Sequence, residues 1–391
     1  MISRTIAFGC AVFAVALAAT TGCGGSDTPH ATVDVEKLDS GNYPTTPRTI
    51  ERTDERVAVQ EAIALAESVP LMMDVDNRLV FNAPKGDTFT PQHPPSPSGG
   101  FGTANFTESV PGLVAGFGTG ARRRQDFSLG LNAELAILRF SNPAQASGAL
   151  AFLADAYHQK NPAKAPVSIP GYPDARAEVS EYGSVNTWLA QGDYLIKTFI
   201  SNPIATPPDP APLAEFTKRL LDEQFQLLQN YRPPARDKLS DIPVDVDGLL
   251  GRTLPSKPDH ARAPGIYTPH AGLHLDSRPD LTSRIFADAK VDLYALDDSA
   301  IYRTADAAAT VRLIAAFVDQ GKDSFAITDP PPGLPDAKCL KKLEDPVVND
   351  LSSDYQCYIP FDRYVAHIGA SQPQDLSQMA AAQYELLAYG R

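Results

Sequence analysis

The second half of the chain repeats the plan of the first half, and this repeat limits the folds that the chain can adopt. The segment PGYPDAR at residues 170–176 returns as PGLPDAK at residues 332–338. Two longer pairs of segments align on either side of it, 136–154 with 301–319 and 188–201 with 358–371. The first of these pairs has the pattern of a strand followed by a helix in both copies.

The repeat predicts an α+β fold with two homologous domains, each a small, mostly antiparallel sheet with helices packed on one face. Hydrophobic residues make up 43% of the chain, which is enough to bury a core in each domain. The predicted divisions are a signal peptide (1–22), a lipid-anchored tether and N-terminal segment (23–48), the first domain (49–232), a linker (233–243) and the second domain (244–391).

The N-terminus has the pattern of an export signal. Arg4 precedes an apolar run over residues 5–19, which has the length of the apolar region of a signal peptide. The run leads to Gly22 and Cys23, a junction that resembles a bacterial lipobox, although Thr20 stands where Leu is usual. Acylation of Cys23 would hold the protein on the extracytoplasmic side of the cell membrane, because two or more acyl chains anchor stably. The alternative is an ordinary secreted protein cleaved nearby.

Two cysteines remain once the signal peptide is removed and Cys23 carries lipid. Cys339 and Cys357 are expected to form a disulfide, because an exported protein folds in an oxidising compartment. They lie where the second repeat has extra residues, so the disulfide is predicted to close an insertion peculiar to that copy. A metal-binding or catalytic thiol is the alternative, but neither cysteine has a nearby His or a Cys-x-x-Cys partner.

The charge of the chain bears on its partners. With 34 Lys and Arg against 47 Asp and Glu, the net charge is -13, which argues against nucleic acid as a partner. Arg122, Arg123 and Arg124 form a basic run that could bind an anionic head group or polymer. The alternative is a solvated, internally paired turn. The preceding GFGTGA at 116–121 matches a dinucleotide fingerprint, but arginines follow it instead of an apolar helix, so we expect a hairpin and no cofactor.

Three histidines lie close together in the second half, at His260, His270 and His274. The spacing of His270 and His274 would let both rings share a metal ion on a helix. However, Pro269 and Gly272 disfavour a helix there, and no His-Glu-x-x-His pattern occurs. We therefore expect no metal site.

Taken together, these features resemble a family of two-domain lipoproteins of unknown function from mycobacteria, nocardiae and related actinobacteria. The resemblance rests on the lipobox, on VDVEKLDSGNYP at residues 33–44, on the first helix running into Val69, Pro70 and Leu71, and on the paired PGxPDA segments. It implies an exported, lipid-anchored, two-domain protein. No catalytic residue can be carried over from it.

The sequence favours a non-enzymatic cell-envelope protein that binds a small ligand or an envelope partner in the groove between its domains. It contains no G-x-S-x-G, no S-x-x-K and no P-loop. One alternative is an envelope hydrolase, which would place a Ser or Asp beside a His inside a cleft. Another is an assembly or stabilising subunit of an envelope complex, which would expose a large apolar patch.

Overall fold

The computed structural model describes residues 33–96, 100–101, 103, 105–256, 264–343 and 353–391. The predicted signal peptide, Cys23 and His260 lie outside these residues. The described residues form one compact unit.

The first sheet has eight strands, all paired antiparallel, in the order β1-β3-β4-β8-β7-β6-β5, with β2 also paired to β3. Its strands are β1 (Phe81–Asn82), β2 (Asp87–Phe89), β3 (Leu113–Arg122), β4 (Asn132–Phe140), β5 (Ala165–Pro166), β6 (Arg176–Val179), β7 (Val185–Gln191) and β8 (Tyr194–Ser201). The helices of this half are α1 (Asp54–Ala66), α2 (Met72–Val75), α3 (Phe106–Ser109), α4 (Pro143–Lys160) and α5 (Ala211–Leu228).

The second sheet has seven strands, again all antiparallel, in the order β12-β13-β14-β15-β11-β10-β9. Its strands are β9 (Gly265–Tyr267), β10 (Leu293–Leu296), β11 (Ala300–Arg303), β12 (Phe325–Thr328), β13 (Lys338–Lys342), β14 (Tyr355–Phe361) and β15 (Tyr364–Ala370). The helices are α6 (Pro269–Leu273), α7 (Pro279–Ala289), α8 (Ala307–Gly321) and α9 (Pro373–Ala388).

The two sheets share one topology. The path β3-β4-β8-β7-β6-β5 of the first sheet corresponds to β10-β11-β15-β14-β13-β12 of the second, with α4 matching α8 and α5 matching α9. This confirms the predicted α+β class with two antiparallel sheets and the repeat behind it.

The repeat is shifted by one residue from the alignment read off the sequence. Asn142 caps α4 by accepting from the backbone N–H of Gln145, and Asp306 caps α8 in the same way. Equating these two caps pairs Ala136 with Ala300, whereas the sequence alignment pairs it with Ile301. The positions of the two caps, Asn142 and Asp306, therefore define which residues of the two copies correspond.

The position of the helices differs from the predicted single face. Along β4, Leu135 and Ile137 pack into the core that α5 covers, whereas Leu138 and Phe140 pack with α4 on the opposite face. The second sheet is likewise covered by α8 on one face and α9 on the other. Neighbouring side chains of a strand point to opposite faces, so a strand that is apolar at successive positions needs cover on both.

A shared core joins the two halves. Helix α1 packs against both β3 and β9, and Ile63 of α1 lies in one buried cluster with Phe117, Tyr267 and Leu275. These side chains form a buried core that is common to the two halves.

The N-terminal segment packs against the second half and not the first. Leu38 and Tyr43 lie against the core beneath α9, and the Tyr43 hydroxyl donates to Asp375 at 2.6 Å. The Arg48 guanidinium pairs with the buried Asp297 carboxylate at 2.5 Å. Residues 33–48 therefore connect the predicted tether to the second sheet before the chain enters α1.

Among the described residues, no helix is both long enough and apolar enough to cross a membrane.

Candidate functional site

The predicted arginine run lies at the tip of the β3–β4 hairpin, in residues 122–131, which we call the arginine hairpin. Arg122 is the last residue of β3 and pairs with Asn132, the first residue of β4. Between them a short 3-10 helix, Phe127–Leu129, begins where the Asp126 carboxylate accepts from the backbone N–H of Ser128 at 2.8 Å. The Asn132 side chain donates to two backbone carbonyls of the loop at 2.9 Å each. These hydrogen bonds fix the shape of the tip.

The glycine-rich stretch before the arginines is part of β3, as the hairpin interpretation predicted. A side chain at Gly118 would meet the Phe89 ring at 2.9 Å, so glycine lets β2 pack closely over β3. The fingerprint-like spacing thus serves strand packing here.

The three guanidinium groups of the arginine hairpin form no salt bridge with any described residue. The turn is solvated and is held by hydrogen bonds of its own, as the alternative expected. Arg122 instead lies over the Phe127 ring, 5.4 Å from its centroid. Phe127 and Leu129 are 39% and 56% exposed. The tip combines unpaired cations with exposed apolar side chains.

The acidic groups near this tip leave it positive. Asp126 lies within the loop, and hydrogen bonds from Ser128 lower its pKa, so it carries a negative charge. Asp76 is close enough for Arg123 to lower its pKa slightly, but its carboxylate is already paired with Arg78 at 2.6 Å. Glu134 of β4 also interacts with Arg122, and with the buried Lys197. Four arginines and one lysine therefore face three carboxylates, those of Asp76, Asp126 and Glu134.

The predicted histidine pair lies at the boundary between the two halves, with His270 in a short helix and His274 at its C-terminal cap. The sequence had predicted no helix there. Helix α6 (Pro269–Leu273) begins with Pro269 at its first position, and Thr268 caps it by accepting from the backbone N–H of Ala271 at 3.2 Å. The expectation was wrong because Pro has no N–H to lose at a helix start, where it is well tolerated.

Both imidazole rings of the pair form hydrogen bonds to the same backbone carbonyl. The Nε2 atoms of His270 and His274 lie 2.8 and 3.2 Å from the backbone carbonyl of Val69. A carbonyl only accepts, so both Nε2 atoms carry the proton and offer no lone pair to a metal. Among the described residues, no group of three or more His, Cys, Asp or Glu could hold a metal ion.

His274 is completely buried, beside the Phe117 ring and with its Nδ1 atom 3.1 Å from the Thr119 hydroxyl. Burial, with a smaller contribution from the neighbouring His270, lowers the pKa of His274 to about 3. The ring is therefore neutral and serves as a polar link in the core between the halves.

The other described histidines bind carboxylate or amide groups. His93 contacts Glu55 at 2.8 Å, His158 contacts Glu178 at 3.1 Å, and His367 contacts the Gln356 side chain at 3.2 Å. His274 does contact a hydroxyl, but both partners are enclosed in the core. These contacts do not have the geometry of a nucleophile activated in a cleft.

Sequence reasoning missed a buried lysine, Lys197 of β8. Its Nζ lies 5.4 Å from the Phe101 ring centroid, 5.5 Å from that of Trp188 and 5.9 Å from that of Tyr157. Burial lowers the pKa of Lys197 to about 8, while the charge of Glu134 opposes this shift. The rings and the nearby carboxylate compensate part of the cost of burying the ammonium group.

The second repeat has a basic residue at the same place. His367 pairs with Tyr358 and Ala300 in its sheet, as Lys197 pairs with Trp188 and Ala136 in the first. The His367 and Tyr358 rings stack at 4.7 Å, and burial lowers the pKa of His367 to about 4. A comparison of the two repeats, position by position, is the sequence signal that could have found this pair.

The two cysteines of the second repeat face each other across β13 and β14, with their Cα atoms 4.1 Å apart. This placement is compatible with the predicted disulfide. The connection that they flank, between β13 and β14, is longer than the corresponding connection between β6 and β7. The extra residues of the second copy therefore fall inside the loop that the cysteines would close.

Comparison with known proteins identifies the two halves. Residues 49–244 match the family model described as domain of unknown function (DUF7373) N-terminal, and residues 249–390 match domain of unknown function (DUF7373) C-terminal. No curated protein matches the sequence. Among solved structures, the extracellular domain of PknH from Mycobacterium tuberculosis aligns with 13% identity and a TM-score of 0.28, over 45% of this chain and 98% of that domain.

Proposed function

We propose that this chain, which belongs to the DUF7373 family of paired N-terminal and C-terminal domains, is an exported, lipid-anchored protein of the cell envelope. It acts by binding an anionic partner and not by catalysis. The observation that carries the binding activity is the arginine hairpin, with three guanidinium groups that form no salt bridge with a described residue.

The location follows from the N-terminus. Cys23 is the predicted site of acylation, and residues 24–32 separate it from Val33, the first described residue. An extended stretch of that length reaches at most about 30 Å. The folded part would therefore stay close to the membrane surface.

Binding is favoured over catalysis because the buried histidines and lysine make contacts within the core. His270 and His274 are hydrogen-bonded to Val69 in the core, and Lys197 is enclosed by aromatic rings. These groups stabilise the fold. The arginine hairpin, in contrast, presents its charges at the surface of an otherwise acidic chain.

The location is tested by metabolic labelling with palmitate in an actinobacterial host. We expect label on the wild-type protein, and none after Cys23→Ser. Cys10→Ser is the matched control, because Cys10 lies in the segment that cleavage removes, so it should leave labelling unchanged. Label that persists in Cys23→Ser would contradict the proposed anchor.

A further inference from the structure

We propose that the arginine hairpin docks on a membrane surface that contains anionic phospholipids. Its three guanidinium groups contact the head-group phosphates, while Phe127 and Leu129 enter the interfacial layer. This inference rests on the proposed function for the location of the protein, and it names the anionic partner.

The charge of the arginine hairpin favours an anionic surface. A guanidinium group binds phosphate oxygens through paired hydrogen bonds, and Arg122, Arg123 and Arg124 have no competing carboxylate within salt-bridge distance among the described residues. Each basic side chain near an anionic bilayer strengthens binding by about fivefold. Three such groups, opposed by Asp126, would contribute about 20- to 100-fold.

The cations of the arginine hairpin lie beside exposed apolar side chains. Phe127 and Leu129 lie in the same short helix at the tip of the hairpin, and both are exposed. A soluble anion or a polyphosphate chain offers them no apolar contact. The boundary between head groups and acyl chains does, and an aromatic ring beside a guanidinium group suits that layer. The occupant that fits both features is therefore a bilayer and not a soluble anion.

The tip of the arginine hairpin is fixed by contacts of its own. The Asp126 carboxylate accepts a hydrogen bond from the backbone N–H of Ser128, and the Asn132 side chain donates to a loop carbonyl. The Arg122 guanidinium lies over the Phe127 ring. Binding then requires little further ordering of the backbone, so a small contact area can still produce measurable affinity.

The negative charge of the rest of the molecule favours one orientation of the protein on an anionic membrane. The chain carries a net charge of -13, so most of its surface is repelled by an anionic bilayer. The arginine hairpin places three positive charges together on this acidic chain, which favours an orientation with the hairpin towards the membrane.

The test is co-sedimentation with vesicles, using the exported mature chain with Cys23→Ser so that no lipid anchor contributes. Vesicles of phosphatidylcholine are compared with vesicles that also contain phosphatidylglycerol. One variant replaces Arg122, Arg123 and Arg124 with Gln, and another carries Phe127→Ser and Leu129→Ser.

The matched control carries Val311→Ser and Arg312→Gln on α8, where both side chains are about half exposed. Thermal unfolding of every variant checks that the fold is retained.

We expect binding only to the vesicles with phosphatidylglycerol, with an affinity that falls as salt rises. The triple Gln variant should bind at least 20-fold more weakly and the double Ser variant about tenfold more weakly, while the α8 control binds like the parent. Inorganic phosphate at the same ionic strength as sodium chloride should compete no better than chloride.

Three results would overturn the inference: equal binding to both vesicle types, wild-type affinity in the triple Gln variant, or full affinity in the double Ser variant. The last would show that an anion is bound without contact to the interfacial layer. Because the tested chain carries no lipid, none of these results bears on whether Cys23 is acylated, so the two failures can be told apart.

Discussion

The buried imidazole of His274 predicts a loss of stability in mild acid. Its pKa is about 3 in the folded protein, against about 6.5 in an unfolded chain. Between these two values the unfolded chain holds a proton that the folded protein does not. The stability that depends on neutral His274 is therefore complete above pH 6.5 and decreases as the pH falls towards 3.

The size of the effect follows from the same two values. Lowering the pH to 5 shifts the equilibrium towards the protonated, unfolded chain by about 2 kcal/mol from this one residue. The full loss near pH 3 would approach about 5 kcal/mol. Water does not reach the ring, and Phe117 and His270 lie against it, so no local rearrangement at the surface can supply the missing solvation.

The assay is urea unfolding at pH 7.5 and pH 5.0, for the wild type and for His274→Gln. Glutamine keeps a donor for the Val69 carbonyl but does not titrate in this range. The variant should be less stable than the wild type at pH 7.5, because the Thr119 contact and the ring packing are lost. Between the two pH values, however, the wild type should lose about 2 kcal/mol more than the variant.

His158→Gln, at a half-exposed surface position, is the control for the substitution itself. Parallel losses in the wild type and His274→Gln would refute the reasoning. They would mean that the ring gains solvent or a negative partner when it is protonated.

Three other perturbations test the stability of particular contacts. Replacing Cys339 and Cys357 with Ala should lower the free energy of unfolding by about 3 kcal/mol, whereas an unfolding midpoint of the wild type that does not respond to reductant would show that the thiols are unbonded. Arg139→Met leaves the buried Glu61 carboxylate without its cation and should cost about 3–5 kcal/mol in urea unfolding, with a smaller added cost when Glu61→Gln is combined with it; simple additivity would contradict this coupling. Arg48→Ala should release residues 33–48 and speed their proteolysis by about tenfold with little change in global unfolding; unchanged cleavage would mean that Leu38 and Tyr43 hold the segment without the ion pair.

The repeat could be predicted because both copies keep the same local sequence patterns. A Pro-Gly turn and a strand followed by a capped helix leave their pattern in any copy. The one-residue error arose because Ala307 and its alanine neighbours fit the helix equally well in either register. The caps Asn142 and Asp306 resolve it, since each makes its hydrogen bond at only one position.

The faces of the sheets could not be predicted in the same way. A strand such as β4, with Ile137 and Leu138 both buried, has a continuous apolar run and no polar side to indicate solvent. Such a run fits a sheet covered on one face or on two. Only the tertiary placement of α4 and α5 decides between them.

In the candidate site, too, contacts between residues distant in the chain could not be predicted from the sequence. The sequence identified the arginines of the hairpin but could not say whether acids distant in the chain neutralise them. His270 and His274 were selected for their spacing, yet their roles depend on the carbonyl of Val69, about 200 residues away. Lys197 was missed because no local pattern marks a lysine for burial, and the rings that enclose it come from three separate elements.

The central claim is that the protein is held at the membrane by a lipid on Cys23 and, independently, by the arginine hairpin. The most direct test is fractionation of cells that produce four forms: the wild type, Cys23→Ser, the triple Gln variant of Arg122, Arg123 and Arg124, and the combination of both changes.

We predict that the wild type and the triple variant stay with the membranes at high salt, because acyl chains do not respond to ionic strength. Cys23→Ser should sediment with membranes at low salt and leave them at high salt, and the combined variant should be released at low salt. Release of Cys23→Ser already at low salt would contradict the role of the hairpin, and its retention at high salt would contradict the lipid anchor.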